Sequence, residues 1–259
     1  MVKEEEVKRN NLVELSNISF SYLTQGKERV ILDDFSLSIE EGSITCLMGP
    51  SGCGKSTLFD ILGGYKSIKK GKIEYSNGIE LCDEIGMVFQ KNVLLPWKNV
   101  YENLDFPLKV KSVNRAQRKE MIQTNLNRFG LSEIQKYYPN QLSGGMYARV
   151  ALLRTLIIEP KLILADEAFS SLDIATKKSI LKIFVEEIRE SKKTAIVITH
   201  DISEALNIGD RIVLFAGNPM KILYDVNTKG LDSIQKEKIR GKYERYASLL
   251  EKKDDHEIA

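Results

Sequence analysis

The sequence predicts an α/β fold: a mainly parallel sheet wrapped by helices, with a helical subdomain inserted into it. Three observations carry that prediction. Compact apolar runs recur at Ile44–Met48, Ile85–Phe89, residues 162–165 and residues 195–199, each with the length of a buried strand. A glycine-rich loop, residues 49–57, follows the first run directly and opens a helical pattern. Between the second and third runs, over about residues 91–160, the pattern is mostly helical.

The elements follow in order. Residues 1–10 are charged and read as frayed. Residues 11–22 alternate apolar and polar, as a half-exposed strand does, and Phe35, Leu37 and Ile39 repeat the alternation before a Glu41-Gly42 turn. Residues 56–62 read as a helix after the loop, and the helical block that follows is expected to break at Pro107, Gly130 and Pro139. A helix over residues 174–190 separates the last two buried runs. Residues 211–215 and 220–224 read as late strands, and 231–252 as a charged, weakly amphipathic helix. No internal repeat or low-complexity linker interrupts the chain.

Composition narrows the function classes. The chain has 259 residues, 42% of them hydrophobic, enough for one large domain with an insert. Thirty-eight basic and 36 acidic residues leave a net charge of +2, without the basic stripe that nucleic acid demands. No apolar run reaches the 18 or so residues that span a bilayer, and the first ten residues lack an apolar leader. The expectation is a cytosolic chain that reaches a membrane through a partner. Three cysteines, Cys46, Cys53 and Cys82, lack metal-ligand spacing and are odd in number, so reduced thiols are expected. Of the two histidines, His256 lies in a charged tail and reads as solvated.

The chemistry begins at Gly49-Pro50-Ser51-Gly52-Cys53-Gly54-Lys55-Ser56-Thr57, which fits G-x-x-x-x-G-K-[ST]. Glycines let backbone N–H groups curl around a phosphate, and the helix behind them offers its positive end. Lys55 supplies a mobile charge for the β- and γ-phosphates, and the Ser56 hydroxyl can ligate Mg²⁺. A chance match costs about 1% over a chain of this length; the flanking strand and helix reduce the bland reading further. Cys53 admits two readings: a small residue that fits the loop, or a thiol activated by nearby amides and Lys55.

Residues 162–165 carry Asp166 and Glu167 to the C-terminal end of a buried strand, where ligands sit in open α/β sheets. Asp166 is placed to hold a metal ion and Glu167 to deprotonate an attacking water. His200 ends a neighbouring apolar run at the same edge, where an imidazole can bond a γ-phosphate.

Residues 49–57, Gln90, Leu142-Ser143-Gly144-Gly145-Met146, residues 162–167, Ser171-Leu172-Asp173 and His200, in this order, resemble the ATP-binding cassette (ABC) ATPases of membrane transporters. The resemblance covers about residues 11–224. It implies a phosphate-loop NTPase core with an antiparallel β part, formed by 11–90 and 161–228. It also implies a helical signature subdomain over 91–160 and a tail over 229–259. ATP and Mg²⁺ are the expected ligands. By the resemblance Tyr22 stacks on adenine, although Phe20 competes for that role. Gln90 senses the metal and the attacking water. Ser143, Gly144 and Gly145 contact the γ-phosphate held by a second copy, Asp173 crosses between copies, and His200 is the switch histidine. Metal ligation falls to Ser56, Gln90 and Asp166, and catalysis to Glu167, His200 and Gln90.

The sequence departs from the family at Met146, Tyr147 and Ala148, where glutamine, a basic residue and glutamine are usual, and at Ala168, where proline is usual. These changes put the rate in doubt, not the chemistry. The segment Val93-Leu94-Leu95-Pro96-Trp97 through Asn103 and Leu104, with the Met146 variant, resembles the importers of nitrate, sulfonates and taurine. Leu94, Leu95, Trp97 and Val100 read either as a groove for a partner's amphipathic helix or as internal packing. The implied assembly is an ATP-dependent homodimer on integral permease subunits, at the cytoplasmic face of the inner membrane, served by a solute-binding protein. The alternatives are an exporter ATPase, a non-transport ABC ATPase, a phosphate-loop kinase or GTPase, and a non-catalytic nucleotide switch.

Overall fold

The computed structural model describes residues 10–24, 26–76, 84–89, 94–170 and 172–257. Two sheets form it. Strands β1 (Asn11–Thr24), β2 (Lys27–Glu40) and β4 (Lys70–Tyr75) make an antiparallel sheet in the order β2-β1-β4. Strands β3 (Ile44–Met48), β5 (Ile85–Phe89), β6 (Leu162–Asp166), β7 (Thr194–Ile198), β8 (Arg211–Ala216) and β9 (Lys221–Asn227) make the second, in the order β5-β6-β7-β3-β8-β9. It is parallel except for β9, which returns antiparallel along β8.

The buried strands alternate between two cores. Leu47, Leu162, Leu164, Ile196, Ile198, Val213 and Phe215 pack with the antiparallel sheet and helix α1 (Lys55–Leu62). Ile44, Cys46, Met48, Val88, Ile163, Ala165, Ala195 and Val197 pack on the other face, against the helices. A strand buried on both faces has no polar side to show, so these runs read as continuous apolar stretches.

The inserted block comprises α2 (Val100–Val110), α3 (Arg115–Arg128) and α4 (Gly144–Leu156). Two later helices, α5 (Ile174–Glu190) and α6 (Ile202–Ile208), flank β7, and α7 (Ser233–Glu257) closes the chain. No helix of the described residues is long and apolar enough to cross a membrane.

The expected break at Pro107 is corrected: α2 runs through it. An interior proline costs about 3 kcal/mol, but α2 buries Val100, Leu104 and Leu108 almost completely, at about 1.5–3 kcal/mol each. Packing therefore carries the helix past its weak residue. Gly130 does stop α3, at φ +66°, while Pro139 starts a short 3₁₀ turn instead of ending an element. Strand β4 and helix α6 were not anticipated. Strand β4 is largely exposed, with two lysines and a glycine among six residues, so it lacks an apolar period. Helix α6 has only seven residues, announced by Asp201, whose side chain accepts from the N–H groups of Ser203 and Glu204.

Candidate active site

The phosphate loop joins the C-terminal end of β3 to α1. Gly54 takes φ +111°, and a Cβ there would lie 2.7 Å from Ile31. At Gly49 an added Cβ would lie 2.6 Å from the Phe215 carbonyl oxygen. Glycine is thus enforced by close backbone packing as well as by the turn. Lys55 is nearly buried, and its Nζ donates to the carbonyls of Gly49 and Pro50, each at 2.8 Å. The ammonium is thereby folded over the loop it would share with a phosphate. The Cys53 thiol is buried, 3.9 Å from Lys55 Nζ. It packs in the apolar cluster of that face of the sheet.

A cavity of about 210 Å³ borders the loop, lined by Tyr22, Arg29, Ile31, Gly52, Gly54, Lys55, Ser56 and Thr57. The Tyr22 hydroxyl lies 3.1 Å from Thr57 Oγ1, and its ring packs T-shaped with that of Phe20, centroids 5.0 Å apart. Between the two competing aromatics, it is Tyr22 that lines the cavity. Arg29, missed in the sequence, is brought there by its register opposite Tyr22 in the β1–β2 hairpin. A larger cavity, about 770 Å³, opens among Glu40, Arg189, Asp210, Lys229 and Lys236. It contains none of the motif residues, so size does not select the site here.

Strand β6 places Asp166 in parallel register between Phe89 and Ile198, at the sheet edge where the loop begins. Burial pushes the Asp166 carboxyl up; a hydrogen bond from Ser56 and the charge of Lys55 oppose that, while Glu167 and Asp60 reinforce it. The Ser56–Asp166 pair offers two hard oxygen donors, the kind of set on which Mg²⁺ is held together with phosphate oxygens. Gln90, the third expected ligand, lies outside the described residues, as do Cys82, Val93 and Ser171.

Glu167 has φ +45°, and its N–H donates to the Ile198 carbonyl at 3.0 Å. That turn swings the carboxylate off the strand axis toward the next strand, where Oε1 lies 3.5 Å from His200 Nδ1. Simple strand alternation does not describe it. Ala168 beyond it is buried.

The remaining expected residues sit at two helix N-termini. Ser143 caps α4, its hydroxyl accepting from the Met146 N–H at 3.3 Å. Asp173 caps α5 and accepts from Thr176 N–H at 3.0 Å; hydrogen bonds from Thr176, side chain first, hold its carboxyl below the usual range. The two caps are neighbours, since a Cβ at Gly145 would lie 3.2 Å from Thr176. Among the described residues no hydrogen bond or ion pair joins Ser143 or Gly144 to the phosphate loop. Tyr147 finds a local use: its hydroxyl accepts the Leu94 N–H at 2.8 Å, tying α4 to the segment before α2. In that segment Leu94 and Val100 are core residues, whereas Trp97 is 70% exposed. The two readings of the segment divide between its residues.

A glycine-cradled lysine beside an acidic strand end at the open edge of a parallel sheet defines a phosphate-loop nucleotide hydrolase. The ABC transporter family matches residues 32–170, more than half of the chain. The taurine import ATP-binding protein TauB of Escherichia coli O6:H1 is 38% identical over 194 residues, covering 74% of this chain and 76% of that protein. The spermidine/putrescine import ATP-binding protein PotA of Borreliella afzelii is 37% identical over 232 residues, covering 85% of this chain and 66% of that protein. Among solved structures, the dimeric post-hydrolysis ATP-binding cassette MJ0796 bound to ADP and Pi superposes with a TM-score of 0.72 at 31% identity, over 85% of this chain and all of that one. The chain belongs to the ABC transporter family, as an ATP-hydrolysing cassette.

Proposed function

We propose that this chain is the energising subunit of an importer, closing as a homodimer around two ATP molecules on a separate permease. The observation that carries the reading is the division of the site. Lys55, Ser56, Asp166 and Glu167 share one sheet edge, while Ser143, Gly144 and Gly145 open helix α4, and among the described residues no hydrogen bond or ion pair ties them to that edge. First-turn N–H groups have no intrahelical partner and suit an anion from outside. A second copy supplies that anion. The dimeric MJ0796 cassette supports the arrangement.

In this reading Lys55 and the loop amides hold the β- and γ-phosphates, Tyr22 stacks on adenine, and Asp173 reaches across the interface. Ser56, Asp166 and Gln90 would hold Mg²⁺, which would neutralise charge developing on the phosphate oxygens. Glu167 takes a proton from the attacking water, and His200 bonds the γ-phosphate. The block over 91–160 is the signature subdomain. It presents exposed Trp97 to the permease at the cytoplasmic face of the membrane.

The cargo is a small anion or organic solute, delivered by a solute-binding protein. Overall identity does not choose it, since TauB and PotA, named for a sulfonate and for polyamines, match this chain equally well. The preference for an anion rests on the 93–104 segment and Met146. The test is light scattering of a Glu167→Gln variant. Saturating MgATP should convert monomer to dimer, and a persistent monomer, even beside the permease, overturns the two-sided site. The cargo is tested by ATPase stimulation in vesicles holding the permease and binding protein. Stimulation by taurine, another sulfonate or nitrate is expected, and stimulation by spermidine alone overturns that cargo class.

A further inference from the structure

We propose that helix α7 is a brace on the His200 turn, and that Tyr243 is a positioning residue for His200. The turn between β7 and α6 carries the histidine and is held from two sides. On one side Lys177 of α5 pairs with Asp201 at 3.0 Å and with buried Glu204 at 2.6 Å, and the Asp201 N–H donates to Thr199 Oγ1 at 3.1 Å. On the other side stands α7. Its Tyr243 hydroxyl donates to the His200 carbonyl at 3.4 Å, and Arg240 Nη2 lies 3.5 Å from Ser203 Oγ.

Helix α7 is anchored well enough to act as a brace. Ile239 is buried in the core beneath the sheet, and Tyr243 and Tyr246 pack against that core. Tyr246 also meets Tyr224 of β9 at 6.1 Å, and Lys242 lies over the same Tyr224 ring. A tail of this composition, rich in charge and weakly apolar, has no need to fold back for its own sake. Its apolar face packs instead on the helix-side core, beside β9. The His200 imidazole is 65% exposed and, among the described residues, its ion-pair partner is Glu167, so its aim is set through its backbone. Fixing the carbonyl of residue 200 fixes the plane from which the side chain departs.

This inference rests on the reading of His200 as a γ-phosphate contact. The test uses the full chain and Tyr243→Phe, which keeps the ring packing and removes only the hydroxyl. The chain has two histidines, so ¹⁵N-histidine labelling gives two imidazole rings, each with a pair of nitrogen signals, assigned with His256→Gln. The phenylalanine variant should move the His200 ring signals, leave those of His256 in place, and lower kcat for ATP by about three- to tenfold with KM nearly unchanged. An unmoved His200 ring overturns the brace whatever the kinetics. A moved ring with unchanged kcat overturns the positioning role. His200→Ala separates the two ideas: normal turnover in that variant sinks the γ-phosphate reading, while the ring signals still decide the brace.

Discussion

His200 Nδ1 lies 3.5 Å from Glu167 Oε1, and the two residues reach each other from adjacent parallel strands. The contact depends on a left-handed backbone turn at Glu167, φ +45°, locked by its N–H on the Ile198 carbonyl. A β-branched or bulky residue would strain that turn; glutamine keeps the shape and loses only the base.

Glu167→Gln should therefore fold normally, bind ATP with parental affinity and lose turnover by at least about 100-fold, the usual contribution of a positioned general base. Phosphate release and nucleotide titration check both halves. Retained ATPase would move the base to another residue.

Asp166 offers a prediction with a sign. Burial raises its carboxyl above the ordinary range, only partly opposed by Ser56 and Lys55. A raised value means that the folded state holds the proton more tightly than the unfolded one. The stability this gives is fully present below the unfolded pKa of about 3.9 and is lost as pH rises through the folded value. At pH 7 the ionised group opposes folding. Asp166→Asn should thus melt no lower than the parent at pH 7, with the gap closing as pH falls into the carboxylate range, while MgATP hydrolysis is lost. Thermal melts from pH 4 to 8 test it; a lower Tm for the variant at pH 7 would count against the buried-charge argument.

Tyr22 and Phe20 can be separated. Tyr22 lines the loop cavity, and Phe20 packs T-shaped against the Tyr22 ring without lining it. Tyr22→Ala should weaken ATP binding by about 5- to 100-fold, the range of base–aromatic stacking. Tyr22→Phe, which loses the 3.1 Å contact with Thr57 Oγ1, should cost less than about threefold, and Phe20→Ala should be similarly mild. Calorimetric titration with ATP ranks the three, and a larger effect at Phe20 than at Tyr22 would reverse the assignment.

What was legible in the sequence was whatever repeats at short range. Buried parallel strands announce themselves as apolar runs, and the loop 49–57 is a fixed string of residue types. What was hidden depends on partners far along the chain. The helix through Pro107 is kept by Leu104 and Leu108 packing, which no local rule contains. The exposed strand β4 is recruited by pairing with β1, and Arg29 enters the cavity only through hairpin register with Tyr22. The turn at Glu167 is also invisible locally, because its stabilising carbonyl, Ile198, lies 31 residues on in an adjacent strand. Tyr147, which looked like a loss from the family pattern, bonds Leu94 across 53 residues.

The helical block holds a pair whose energetics can be dissected. Asp105 of α2 is nearly buried and meets Arg118 Nε of α3 at 2.6 Å and Lys109 Nζ at 2.7 Å. Arg118 also donates to the Val113 carbonyl. Burial pushes the Asp105 carboxyl up, but hydrogen bonds from Lys109 and Arg118 and their charges more than offset it, leaving the group below its ordinary value. A depressed carboxylate contributes stability above its unfolded pKa and loses it as pH falls through the folded value. Asp105→Ala should destabilise by about 2–4 kcal/mol near neutral pH, because Arg118 is left largely buried and unpaired. The deficit should shrink below about pH 4 as the parent's carboxylate protonates. Replacing both partners, Asp105→Leu with Arg118→Leu, should recover most of the loss, since desolvating the pair opposes its attraction. Urea unfolding at pH 7 and pH 3.5 reads all three variants. A double variant as unstable as Asp105→Ala would mean that the ion pair itself, and not the stranded arginine, holds α2 to α3.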